Sequence, residues 1–179
     1  MFSGVCDMLD GRVASLKSRT NREKKYGIQI DSLADIISFG VFPVVIGYAV
    51  GFEDLIQYFG SFGIVIGTAI LSTYLLAALI RLAYFNVIEE ELQANNQNRL
   101  YYEGLPTTSV ALIIPIVCSI SMIFNASLST VYTILLIILT VLFVAKIRIP
   151  KPKGRSQFIL ILIGLPVVIY ILLCGGMFA

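Results

Sequence analysis

The sequence predicts an all-α, polytopic membrane protein: a helical bundle with about five full transmembrane helices preceded by a partial first one. Three observations predict this class. Hydrophobic residues make up 58% of the 179 residues and charged residues only 13%, whereas soluble domains are nearer half apolar and a quarter charged. The mean hydropathy is +0.89. Long apolar segments alternate with short polar ones along the whole chain.

The predicted membrane segments follow from the need for about 20 apolar residues per span. The six residues before Asp7 are too few to cross a bilayer. We therefore expect a single domain, 1–179, that lacks the start of its first helix. The predicted spans are Ile36–Phe52, Gly60–Val87, Val110–Phe124 with its entry at Gly104–Thr108, Thr130–Ala145 and Phe158–Cys174. Pro43 is expected to kink the first of them, because proline has no N–H for the helix ladder.

The connections between these spans are polar and short. Glu53 and Asp54 are predicted to form a break, and Asn125–Ser127 a tight turn. Ile88–Glu103 is polar enough to be an interfacial helix or a loop, and Lys146–Arg155 is predicted to be a basic loop.

The basic residues predict the orientation. Chain alternation places residues 11–30, 81–103 and 146–156 on one side, and these hold all thirteen Lys and Arg, as six, two and five. The connections near 53–60 and 124–129 hold none. By the positive-inside rule the basic side faces the cytoplasm. We expect a multi-pass protein of the plasma membrane.

Four aspartates form two pairs at the cytoplasmic end. Asp7 and Asp10 are three residues apart and Asp31 and Asp35 four apart, so each pair shares a helix face. If antiparallel helices carry them, joined by Ser15–Tyr26, the four carboxylates converge. Like charges beside apolar segments are costly unless cations neutralise them. Hard divalent cations prefer oxygen ligands, so the sequence predicts Mg²⁺ or Mn²⁺, and about two ions rather than one.

These residues resemble the signature of the CDP-alcohol phosphatidyltransferase family, Asp-x-x-Asp-Gly-x-x-Ala-Arg followed by Gly-x-x-x-Asp-x-x-x-Asp. The matching residues are Asp7, Asp10, Gly11, Ala14, Gly27, Asp31 and Asp35. Two features depart from the pattern. Ser15 stands where the family has Arg, and the eleven residues between Ser15 and Gly27 form a longer spacer than is usual.

The resemblance implies a role for each acidic residue. Asp7, Asp10 and Asp31 would hold the metal ions, and Asp35 would complete the metal site and act as the catalytic base. A carboxylate base agrees with the absence of histidine from the chain. The CDP-binding residues implied are Asp7, Gly11, Ala14, Ser15 and Asp31. The implied reaction is direct attack of an alcohol on the β-phosphorus of a CDP-lipid, with release of CMP.

Further segments are similar to the phosphatidylserine synthases of this family, over roughly residues 5–153. They are Asp31–Pro43, Arg81–Val87, Gly104–Thr108 and Lys146–Pro150. The similarity implies CDP-diacylglycerol and L-serine as substrates in a lipid membrane, a homodimer, and no nucleic-acid partner. Serine carries a carboxylate, so a cation is expected near it, and Arg81 is the candidate, with Asn86 second. Alternatively, Arg81 marks the membrane boundary or snorkels to it, and Asn86 caps a helix.

Other interpretations remain open at this point. Another enzyme of the family would use a glycerol-phosphate or inositol acceptor. A cation transporter would also carry carboxylates in the membrane, although these four lie beside a basic connection rather than at mid-membrane. The aspartates could also cap helices and pair with lysines of the Ser15–Tyr26 connection, whose basic residues either face solvent or contact phosphate.

Overall fold

The structure is a computed structural model, and it describes residues 20–94, 101–145 and 148–150. Its helices pack side by side, and two of the connections each contribute one strand to a short antiparallel sheet. The elements are α1 (Asn21–Asp35), a π-helix (Ile36–Val41), α2 (Phe42–Val50), α3 (Glu53–Phe59), α4 (Phe62–Ala94), β1 (Tyr101–Glu103), a 3₁₀ turn (Thr107–Ser109), α5 (Val110–Ile123), α6 (Leu128–Val144) and β2 (Arg148–Pro150).

The helices confirm the predicted all-α membrane class. Lys25–Val50 and Phe62–Ile88 are long and apolar enough to cross a bilayer, and Thr107–Ile123 and Leu128–Val144 are shorter apolar helices. Large apolar side chains on their outer surfaces are exposed, as in a protein whose solvent is lipid. The predicted span Phe158–Cys174 and the partial first helix lie outside the described residues.

Helix α1 begins earlier than predicted, so the proposed Ser15–Tyr26 connection was too long at its C-terminal end. Thr20 caps the helix: its hydroxyl accepts from the Glu23 N–H at 3.3 Å, and the Glu23 carboxylate accepts from the Thr20 N–H at 2.8 Å. This reciprocal capping box satisfies two N–H groups that the first helical turn leaves without partners. The helix therefore starts at Asn21.

Three other predicted connections also contain regular structure. Glu53 and Asp54, expected to form only a break, start helix α3. Helix α4 continues through Ile88 to Ala94. Beyond it, Tyr101–Glu103 pairs with Arg148–Pro150, with Tyr101 opposite Pro150. The polar connection after α4 and the basic connection after α6 therefore meet, as expected for segments on the same side of the bundle.

The core of the described bundle lies where α2, α4 and α6 meet. Tyr74 of α4 and Tyr132 of α6 are fully buried there, together with Leu136 and Leu139. Gly47 of α2 permits the close approach, since a Cβ at this position would come within 2.7 Å of the Leu71 side chain. Interiors packed this closely leave little room for an added methyl group.

Pro43 has a different effect from the simple kink expected. The helix takes a π conformation just before it, and the Phe42 N–H donates to the Ile37 carbonyl five residues back. Two buried tyrosines then bind carbonyls of this segment: the Tyr74 hydroxyl donates to Phe39 O at 2.6 Å, and the Tyr132 hydroxyl to Pro43 O at 2.8 Å. A buried carbonyl left without a partner costs about 1–3 kcal/mol.

On the side without basic residues, Asp54 joins α3 to the start of α6. Its carboxylate accepts hydrogen bonds from the hydroxyls of Ser127 and Thr130, the latter at 2.6 Å. The Ser127 hydroxyl above all, then the Thr130 hydroxyl, holds the pKa of Asp54 below its ordinary value of 3.8. A carboxylate at a helix N-terminus is also favoured by the helix dipole.

We expect Asp54 to make stability depend on pH in the acidic range. Because its folded pKa is lowered, its contribution is present above pH 3.8 and is lost as the pH falls through the folded pKa. Asp54→Asn should therefore flatten the fall of the melting temperature between pH 5 and pH 2, measured in detergent. Glu53→Gln is the neighbouring control, and an equal flattening by that variant would contradict the role of Asp54.

Candidate active site

The second acidic pair lies on one helix, as predicted. Asp31 and Asp35 occupy consecutive turns at the C-terminal end of α1, where Asp31 is exposed and Asp35 half-buried. Asp35 is the last residue before the π-helix. The residues of the first acidic block, Asp7, Asp10, Gly11, Ala14 and Ser15, lie outside the described residues. Their convergence with Asp31 and Asp35 therefore stays a prediction.

Helix α4 is tied to this pair through Ser32. The Asn86 side-chain amide donates to the Ser32 hydroxyl at 2.7 Å, and that hydroxyl donates in turn to the Ile28 carbonyl at 2.8 Å. Asn86 lies well inside α4, eight residues before its end at Ala94, so the helix-capping alternative is wrong. The structure thus brings Asn86 next to the turn that separates the two carboxylates.

Arg81 is buried, with 5% of its surface exposed. Its Nε donates to the Leu105 carbonyl at 2.9 Å and its Nη2 to the Gly104 carbonyl at 3.1 Å. A snorkelling arginine would place its guanidinium in the headgroup region, so that alternative is wrong. Arg81 instead fixes the turn that leads into α5.

Gly104 makes this turn possible. Its φ of +82° is in the region that favours glycine, and a Cβ at this position would lie 2.8 Å from the Ala145 carbonyl oxygen. The backbone of the turn therefore lies against both Arg81 and the end of α6. The sequence marks Arg81 and the Gly104–Thr108 segment separately, and the contact between them is visible only in the structure.

The described carboxylates suit a hard divalent cation. Asp31 and Asp35 offer only oxygen donors, spaced by one helical turn on a shared face. In the described ranges, no group of three or more His, Cys, Asp and Glu residues could hold a metal by itself. A complete ligand set therefore needs further residues, and the first acidic block would provide carboxylates of the same kind.

Fold and site together define a membrane-embedded helical bundle with a pair of carboxylates on α1, the helix that leads into the bundle. The profile of the CDP-alcohol phosphatidyltransferase family matches residues 1–170. The chain belongs to this family, and membership weighs against the cation-transporter alternative.

Several curated relatives are named for transfer to serine. The chain is 42% identical over 115 residues to the CDP-diacylglycerol–serine O-phosphatidyltransferase of Saccharomyces cerevisiae, covering 62% of this chain and 37% of that protein. It is 33% identical over 172 residues to the Helicobacter pylori enzyme of that name, covering 92% and 65%. The archaetidylserine synthase of Methanothermobacter thermautotrophicus is 29% identical over 156 residues, covering 87% and 58%.

The chain thus spans between 37% and 65% of the length of these relatives. No solved structure matches the chain.

Proposed function

We propose that this chain transfers the phosphatidyl group of CDP-diacylglycerol to L-serine and releases CMP. The observation that carries the proposal is the Asp31–Asp35 pair on consecutive turns of α1, tied to α4 by the Ser32–Asn86 hydrogen bond. Family membership supports the phosphatidyl transfer. The names of the relatives support serine as the acceptor.

The metal ligands in this proposal are Asp7, Asp10, Asp31 and Asp35, and the ions are two Mg²⁺ or Mn²⁺. When bound, such ions neutralise charge on a pyrophosphate and favour departure of the nucleotide. Asp7, Gly11, Ala14, Ser15 and Asp31 line the CDP group in the same proposal, as the family resemblance implies.

The chain's own residues then handle the acceptor. Asp35 takes the proton of the serine hydroxyl as that oxygen forms a bond to the β-phosphorus. The bond between this phosphorus and the bridging oxygen breaks, and CMP leaves with the electron pair. Asp35 suits the role because it is half-buried beside the bundle, and the chain has no histidine to act instead.

We further propose that the Asp31–Asp35 end of the bundle faces the cytoplasm in a multi-pass plasma-membrane protein. The support is the charge distribution, since all thirteen basic residues lie in residues 11–30, 81–103 and 146–156, which chain alternation places on that side. A homodimer is proposed on the family resemblance alone, and cross-linking in membranes tests it.

Arg81 is proposed to bind the carboxylate of serine, and Asn86 is the second candidate for contact with this substrate. Because a guanidinium pairs well with a carboxylate such as that of serine, we expect Arg81→Ala to raise the serine KM more than the CDP-diacylglycerol KM. Arg81→Lys keeps the charge but loses the planar fork, so it should rescue only part of the effect. Steady-state kinetics on both substrates measure this, and an unchanged serine KM in Arg81→Ala would leave Arg81 a purely structural role.

The acceptor assay tests the function itself. Purified protein in detergent receives CDP-diacylglycerol and one radiolabelled acceptor: L-serine, glycerol 3-phosphate or inositol. We expect only serine to enter the lipid fraction, because a phosphate dianion would call for clustered cations rather than one buried arginine. Glycerol 3-phosphate incorporation at comparable efficiency would overturn the serine assignment while leaving the family assignment intact.

A further inference from the structure

The π-helix Ile36–Val41 begins directly after Asp35. A π-turn holds one residue more than the α-helical path it replaces. One residue corresponds to about 100° of rotation around a helix axis. The π-helix lies between α1, which carries Asp31 and Asp35, and α2, which packs in the bundle. Whether it forms therefore determines the direction in which the two carboxylates project from the bundle.

Two features of the sequence favour the π-helix at this place. In a regular α-helix, Pro43 would oppose the Phe39 carbonyl without an N–H to give it, and its ring would clash with that oxygen. The Tyr74 hydroxyl donates to the Phe39 carbonyl instead, at 2.6 Å, and both residues are buried. Gly40 of the π-helix packs closely against α4, the helix that carries Tyr74, since a Cβ at Gly40 would lie 3.2 Å from the Leu75 side chain.

Helix α4 consequently holds this helix on both sides of Asp35. Asn86 binds Ser32 on the N-terminal side, and Tyr74 binds the Phe39 carbonyl on the C-terminal side. The two hydrogen bonds lie far apart along α4, so together they oppose rotation of the segment that carries the carboxylates.

We propose that Tyr74 is a positioning residue for the carboxylate pair: its hydroxyl holds the π-helix, and the π-helix sets the direction of Asp31 and Asp35. The metal-binding consequence rests on the proposed function, whereas the geometric consequence does not. Tyr74 acts through the Phe39 carbonyl, to which its hydroxyl donates.

Tyr132 provides a matched control. It is also buried, and its hydroxyl donates to a carbonyl of the same continuous helix, Pro43 O, at 2.8 Å. That carbonyl lies in α2, beyond the π-helix. Tyr132→Phe therefore removes a comparable hydrogen bond without removing the one within the π-helix.

The first measurement is Mn²⁺ binding to the full chain in detergent, followed by electron paramagnetic resonance of the free ion without lipid substrate. We expect Tyr74→Phe to raise the Mn²⁺ dissociation constant by about tenfold or more, the scale seen when a residue supporting metal ligands is lost. Tyr132→Phe should change this dissociation constant by less than about twofold. It should lower the melting temperature about as much as Tyr74→Phe does, since each variant removes one buried hydrogen bond. Equal effects of the two variants would overturn the proposal.

The second measurement reports the rotation without any ligand. Ser32→Cys and Asn86→Cys are introduced together after Cys6, Cys118 and Cys174 are replaced by Ala, and a short bifunctional thiol reagent joins the pair. The Asn86 side-chain nitrogen and the Ser32 hydroxyl oxygen are 2.7 Å apart in the unsubstituted chain, so efficient cross-linking of the two cysteines is expected. Adding Tyr74→Phe should reduce it several-fold, and adding Tyr132→Phe should not.

The two measurements separate this inference from the proposed function. If the unmodified chain bound no Mn²⁺, the proposed metal site would fail, and the cross-linking result would still decide whether Tyr74 sets the rotation. Undiminished cross-linking in the Tyr74→Phe background would overturn the inference, whatever the metal result.

Discussion

Asp35→Asn should lower the turnover number for CMP release by ~10²–10⁴-fold, the usual contribution of a general base. The amide is nearly the same size as the carboxylate but does not accept the serine proton. Binding of CDP-diacylglycerol should largely survive, because the remaining aspartates still provide carboxylate oxygens. Turnover measured at saturating substrates, beside binding of a CDP-lipid analogue, separates the two effects.

Two variants serve as controls for that result. Asp7→Asn should lose both turnover and nucleotide binding, because Asp7 is proposed to contact the metal and the CDP group. Asp54→Asn removes a carboxylate bound to Ser127 and Thr130 on the side without basic residues, and it should leave turnover unchanged. Equal and mild losses from Asp35→Asn and Asp7→Asn would indicate that both residues are only structural.

Removal of divalent ions should abolish CMP release almost completely. The proposed ligands are all carboxylates, so EDTA should inactivate the protein and Mg²⁺ or Mn²⁺ should restore it. The release of CMP, measured before chelation, after it and after each ion is added back, provides the test. Activity that persists in excess EDTA would contradict the metal-dependent mechanism.

The main helices could be predicted because their signals are local. The turn at Asn125–Ser127 separates α5 from α6 where the apolar run is interrupted. The helix predicted to start at Gly104–Thr108 and to continue through Val110–Phe124 forms as the 3₁₀ turn Thr107–Ser109 followed by α5. Asp31 and Asp35 share a helical face because their spacing alone determines it. Thr20 and Glu23 also have the spacing of a capping box, a local signal that places the start of α1 before the predicted end of the Ser15–Tyr26 connection.

Ile88–Glu103 was predicted to be an interfacial helix or a loop, and its helical part, Ile88–Ala94, continues α4 directly. Ile88–Ala94 is too polar to lie in a membrane, and hydropathy therefore ends the span before it. The segment is nevertheless rich in Glu, Leu, Gln and Ala, which are strong helix formers, so the helix continues beyond the apolar part. The part of α4 that is apolar enough to cross a membrane, Phe62–Ile88, is therefore shorter than the helix itself, Phe62–Ala94.

The remaining differences depend on contacts between distant parts of the chain. The π-helix is bound by Tyr74, 35 residues beyond Phe39 in the sequence. Arg81 binds backbone carbonyls, and a backbone carbonyl has no sequence signature that would mark it as a partner. Ser32 was overlooked because its partner Asn86 lies on another helix. Such contacts are specified by packing, which local patterns do not encode.

The most direct test of the proposed reaction is its stoichiometry. Purified protein in lipid vesicles receives CDP-diacylglycerol and radiolabelled L-serine, and CMP and labelled lipid are quantified from the same samples over time. Direct transfer predicts one CMP for each serine incorporated, and no CMP when serine is omitted. CMP release that continues without serine, or that exceeds the labelled lipid, would show transfer to water or another acceptor and would contradict the account.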